Sequence, residues 1–296
     1  MRFLICFSVL ALFLGFATGA SAHIGEKVYL IFEIADADLP DIAFDGSIDD
    51  WEDVVGPPSL ITTDFFQDPT VGAGAQYDPA DLDYRIWLAW NQTGNHLYGA
   101  VDRLDNVYIN EYAGGNPGAT WQQDSVEFMV DGDHSGGSYN RNNEDLSDED
   151  KKRHFNAQAQ KYNFTFDVPD ERWGGYPGGA AWANELPYLS AFGRSTGTNP
   201  TRSILEFYVT PFDDLVLSED DSQVSPLTPG KVIGLQIAMP DYDTAPLDYQ
   251  AYHTLSGQAA TFRFAERFVD ARLVGADGAT AVEDASWARI KAAVAR

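Results

Sequence analysis

The sequence predicts an all-β fold, two antiparallel sheets packed as a jelly-roll-like β-sandwich with long loops and a short C-terminal helix. Three observations predict it. β-Branched and aromatic residues recur in short runs of two-residue period. Clusters of Gly, Pro, Asn and Asp separate those runs. Helical periodicity is absent until the segment VEDASWARIKAAVAR at the C-terminus. Repeated strands without intervening helices must bury their faces against one another, and two packed sheets are the usual solution.

The strand segments are 84–90 (YRIWLAW), 96–102 (HLYGAVD), 125–131 (SVEFMVD), 162–168 (YNFTFDV), 204–211 (ILEFYVTP) and 231–239 (KVIGLQIAM). In SVEFMVD, Val126, Phe128 and Val130 share one face while Glu127 and Met129 share the other. Trp90 falls on the face of Ile86 and Leu88, which assigns it to the core. Between the strands run long polar connections, 56–81, 105–120, 134–155 and 169–201, where binding function is usually carried.

The N-terminus has the anatomy of a secretory signal peptide: Arg2, an apolar run over 3–16, then Ala20, Ser21 and Ala22 as a small-residue cleavage pattern before His23. The run is short for a bilayer span of about 20 residues. The expected division is therefore signal peptide 1–22, one β domain 23–280, and a C-terminal helix or tether 281–296, in a protein that is secreted, periplasmic or extracellular. Cys6 is the only cysteine and lies within the signal, so the mature chain has neither disulfides nor thiolate chemistry. Its core must stabilise it alone.

A formal net charge of −26 argues against nucleic acid and anionic membranes as partners, and is compatible with divalent cations and neutral ligands. The sequence has no GxSxG, HExxH or phosphate loop. His23, His96, His134, His154 and His253 are scattered, and with 45 acidic residues carboxylate pairs arise by chance. The expectation is a protein without catalytic activity. Asp131 with Asp133, and Asp241 with Asp243, each place two carboxylates two residues apart after a strand, a pattern suited to a structural calcium ion; Asp45, Asp49 and Asp50 form a further acidic group.

Four ordered segments carry a resemblance. They are FDGSIDDW from Phe44, RIWLAWNQTGNHLYGAVDRLD from Arg85, TWQQDSVEFMVDGDHSGGSY from Thr120, and ILEFYVTPFDDL from Ile204 followed by PGKVIGLQIAMPDYD. Over 44–274 the chain resembles the family-9 carbohydrate-binding modules, which are related to the DOMON-like β-sandwich superfamily. The resemblance implies a sugar held between two aromatic rings, here Trp121 and, where the family has tryptophan, Phe262. It implies that Glu127 accepts hydrogen bonds from sugar hydroxyls, and that Gln160, Lys161 and Tyr162 lie near the other polar contacts. It also implies structural calcium and a role supporting polysaccharide breakdown without chemistry. The structural alternatives are that Trp121 plugs a loop end, that Phe262 is core and that Glu127 is an exposed strand residue. Two other classes share the fold: a b-type haem domain, ligated by Met129 or Met239 with Lys161, His154 or His253, and a purely structural surface or adhesion module.

Overall fold

The computed structural model describes residues 24–71, 77–115, 117–139, 147, 155–167 and 180–276. The signal peptide, the C-terminal helix or tether, His23 and His154 lie outside the described residues.

Each strand segment read from the sequence forms a strand: β4 (Leu82–Asn91), β5 (His96–Asp105), β6 (Val126–Asp131), β7 (Gln160–Phe164), β9 (Thr201–Val209) and β12 (Val232–Tyr242). The remaining strands are β1 (Ile24–Glu33), β2 (Leu60–Ile61), β3 (Phe66–Gln67), β8 (Leu189–Thr196), β10 (Phe212–Asp214), β11 (Gln223–Val224), β13 (Tyr249–Thr254) and β14 (Val269–Val274). Among the described residues one α-helix occurs, α1 (Asp49–Val54).

The strands do not form two separate antiparallel sheets. Twelve of them join into one mixed sheet in the order β3-β13-β12-β14-β1-β4-β5-β9-β8, with β2 on β4 and with β6 and β7 reached through β12, while β10 and β11 pair as a separate two-stranded antiparallel sheet. The sheet does not close into a barrel. The unforeseen strand β1 causes the difference. It runs parallel to β14 along Val28–Phe32 and parallel to β4 at Phe32 and Glu33, stitching the two halves together. Parallel pairing needs a long connection between partners, and almost the whole chain lies between β1 and β14.

The halves face each other across a shared core. Phe207 of β9 meets Phe128 of β6 edge-on at 5.1 Å and stacks on Phe164 of β7 at 4.6 Å. Gly99 of β5 is needed there, because a Cβ would come within 2.5 Å of the Phe207 ring. Trp90 is fully buried as the alternation predicts, and its Nε1 donates to the Val274 carbonyl at 3.0 Å. Burying a ring of this size contributes roughly 1.5–3 kcal/mol.

The FDGSIDDW segment seals the outer face of β4, β5 and β9. Gly46 adopts φ +84°, a left-handed turn that favours glycine. The N–H groups of Asp45 and Gly46 donate to Glu206 Oε2 at 2.9 and 2.7 Å, and Trp51 Nε1 donates to Glu206 Oε1 at 2.9 Å. Trp51 is buried against Ile48, Trp87, Ala100 and Ile204. The segment is the aromatic-pinned turn that its residues suggest, extended by a helix too short to show as periodicity.

Candidate functional site

On the half built from β7, β6, β12 and β13, the outward positions form a second buried layer. Antiparallel register sets Lys161 opposite Met129, Asn163 opposite Glu127, and Glu127 opposite Ala238. Directly paired residues project to the same face. Met129, Ala238, Tyr252 and Phe268 pack together there, with Tyr249 and Phe262 half-buried at the margin.

Glu127 is the polar centre of this face, with a side chain only 1 % exposed. Lys161 Nζ lies 2.8 Å from Glu127 Oε2, and the Tyr252 hydroxyl donates to the same oxygen. Glu127 is therefore not an exposed strand residue. Its carboxylate is engaged by two protein donors, and it positions Lys161 rather than standing open to a ligand. Lys161 Nζ also sits 5.5 Å from the centroid of the Phe262 ring. In the other direction Tyr252 meets Tyr249 edge-on at 5.7 Å, and Tyr249 meets Tyr242 at 4.5 Å. The Tyr242 hydroxyl donates to the backbone carbonyl of half-buried Trp121 at 2.8 Å. A continuous line of contacts thus joins Trp121 to Phe262. Burial and the nearby Glu127 charge hold the Tyr249 and Tyr252 phenols well above their ordinary range, so both are neutral hydrogen-bonding groups.

Gln160 and Tyr162 alternate to the other side of β7. Gln160 donates to the carbonyls of Asn156 and Ala157 at 3.2 and 3.0 Å and accepts from Phe212 N at 2.9 Å. Tyr162 is fully buried in the core beside Phe164, its hydroxyl bonded to the Thr210 carbonyl at 3.2 Å. Neither reaches the face of Lys161, because adjacent strand positions point in opposite directions. Asn163 does, and its buried Oδ1 has no hydrogen-bond donor.

The carboxylates separate into two groups. Asp131 Oδ2 accepts from Gly136 N at 2.6 Å, and Asp133 Oδ1 accepts from Ser135 N at 3.0 Å, so this pair ties down a turn. Asp241 and Asp243 instead converge with Asp105, one oxygen from each lying within 4.8 Å of the others. The buried guanidinium of Arg103 lies against the same cluster, with Nη2 at 2.7 Å from Asp105, 2.9 Å from Asp124 and 3.5 Å from Asp241. One cation does not balance these acids. Burial, opposed by Arg103 and reinforced by neighbouring carboxylates, pushes Asp124 up to about 8 and Asp241 up to about 7. Asp241 Oδ2, Asp243 Oδ1 and Gln250 Oε1 are buried without donors. This all-oxygen, donor-poor group could hold a hard metal ion.

The haem alternative requires ligands on opposite sides of an iron. Met129 is instead the cross-strand neighbour of Lys161, and Met239 of His253, so each pair projects side by side from one face. Both methionines are fully buried in packed clusters.

The fold is a β-rich architecture with one face lined by aromatic and polar side chains. No family model and no curated protein matches the sequence. Among solved structures, the fold matches a family-9 carbohydrate-binding module from Caldicellulosiruptor kristjanssonii determined in complex with cellotriose, with a TM-score of 0.51 and 13% identity over 84% of this chain and 94% of that one. The same module in complex with glucose matches with a TM-score of 0.50 and 13% identity, over 84% of this chain and 96% of that one.

Proposed function

We propose that this chain is an exported, non-catalytic carbohydrate-binding domain, a sandwich of two facing sheet halves whose glycan-binding surface is the face between Trp121 and Phe262. The carrying observation is the line of contacts that runs from the Trp121 backbone carbonyl through buried Tyr242, half-buried Tyr249, and buried Tyr252 and Glu127 to half-buried Lys161 and Phe262. Sugars present apolar C–H faces and hydroxyls together, so they suit surfaces that alternate aromatic rings with hydrogen-bonding groups. Lys161 supplies a donor and Glu127 orients it. Phe262 offers a smaller ring than tryptophan, which lowers the stacking area. In this reading the protein holds polysaccharide for enzymes that act on it.

The same reading places calcium at Asp105, Asp241 and Asp243. A hard dication there would complete the charge balance that Arg103 leaves short. The site adjoins the binding face, since Asp124 accepts from Tyr242 N at 3.1 Å and Tyr242 holds Trp121.

A glycan-array screen, run in calcium and again with chelator, tests both parts. Selective binding is expected, and Trp121→Ala should abolish it while leaving the thermal unfolding transition in place. Unchanged binding in that variant would move the site elsewhere. Chelator should lower the unfolding temperature in a manner reversed by added calcium, and no shift would remove the metal.

A further inference from the structure

The Phe262 ring is flanked by a second cation. The Arg263 guanidinium carbon lies 5.1 Å from the ring centroid, beside the Lys161 ammonium at 5.5 Å. The two cations differ in their partners. Lys161 is neutralised by Glu127 at 2.8 Å. Arg263 has no carboxylate within ion-pair distance among the described residues, and its buried Nε has no acceptor. In a chain with 19 basic and 45 acidic residues, an arginine with no acidic partner among the described residues stands apart from its surroundings.

We infer that this end of the face recognises an anionic sugar, with Arg263 pairing to a carboxylate or sulfate carried by the glycan. The inference rests on the carbohydrate-binding reading and names the class of ligand within it. A planar guanidinium matches the two oxygens of such a group in a forked arrangement, which an ammonium cannot do. Cations beside both aromatic ring and sugar also change what the ring can offer. Part of the Phe262 π surface is shared with Lys161 and Arg263, so stacking of a neutral sugar is weakened while an anion beside the ring gains a partner. The overall charge of −26 does not forbid this. Exposed charges are screened over about 8 Å at physiological ionic strength, whereas a direct ion pair forms within about 4 Å.

The test is calorimetric titration of the full protein in calcium with three oligosaccharides of equal length: a neutral glucan, an oligogalacturonate and a sulfated galactan. Each is run at low and at high salt. One of the anionic sugars is expected to bind at least about tenfold more tightly than the glucan, with affinity falling as salt rises, and the better of the two identifies the anion as carboxylate or sulfate. Arg263→Gln should remove that preference, and Arg263→Lys should restore it in part. Equal or tighter binding of the neutral glucan overturns the inference and leaves the carbohydrate-binding reading intact. A preference that survives Arg263→Gln overturns the assignment to Arg263. Binding of none of the three by protein that still responds on the glycan array also overturns the inference, while silence in both experiments overturns the underlying reading.

Discussion

Two buried glutamates, one on the outer face of each half of the sheet, have been put to different uses. Glu206 of β9 is closed in by neutral donors: two backbone N–H groups of the 45–46 turn and the indole of Trp51. Glu127 of β6 is held by a phenol and an ammonium, and the ammonium continues outward to a half-buried ring. The first arrangement ends in a seal, with helix and tryptophan laid over the sheet. The second ends in a surface, with donors and rings left at its edge. Burial of an acid is common to both, so burial alone does not mark a site. What marks it is where the partners of that acid lead.

The largest expected effect falls on the seal. Trp51→Ala removes a fully buried ring and leaves one Glu206 oxygen without its donor, and should cost about 3–5 kcal/mol of folding stability. Urea unfolding measures it. Glycan affinity per folded molecule should stay as it was, because the seal and the proposed binding face lie on different halves of the sheet. If affinity falls with stability, the two faces are coupled and the contrast between them is lost.

The next effect falls on the surface. Glu127→Gln keeps the shape but removes the charge that fixes Lys161. A cost of roughly 1.5–3 kcal/mol is expected from the lost charge-assisted bond, together with weaker glycan binding as Lys161 loses its single orientation. Binding that is unchanged in this variant would reduce Glu127 to a packing role like that of Glu206.

The sequence conveyed the strands more fully than the site. Six alternating segments became β4, β5, β6, β7, β9 and β12, and the inward set Val126, Phe128 and Val130 entered the core as read. Strand alternation also explains a misplacement: Gln160 and Tyr162 flank Lys161 in the chain but face the other way, and a one-residue ambiguity of register is enough to exchange the faces. The three tyrosines lay in plain view in DYDTAPLDYQAY, yet their convergence depends on an irregularity of pairing. Asp241 pairs with Ala251 while Tyr242 pairs with Tyr249, so an extra residue bulges from β13 and turns Tyr249 toward Tyr242. Asp105 joins Asp241 and Asp243 from a distant strand, a meeting that spacing along the chain cannot express. Nor can local pattern reveal β1, whose parallel partners, β4 and β14, both lie far from it along the chain.

The smallest effect concerns the acidity of Glu206. Burial pushes Glu206 from its ordinary 4.5 up to about 7, with the Gly46, Trp51 and Asp45 donors opposing and Asp50 adding to the rise. A carboxyl that is less acidic when folded binds its proton more tightly in the folded chain than in the unfolded one. Its stabilising contribution is therefore full below about 4.5 and is lost as pH rises through about 7. Other carboxylates impose slopes of their own, so the informative quantity is the stability of the protein minus that of Glu206→Gln, measured by urea unfolding from pH 4.5 to 8. That difference should fall by roughly 1–3 kcal/mol across the range. A difference that rises with pH would mean that three N–H donors outweigh burial and that the seal favours the anion. The direction of their partners, inward to a helix or outward to a ring, would then be what distinguishes the two glutamates.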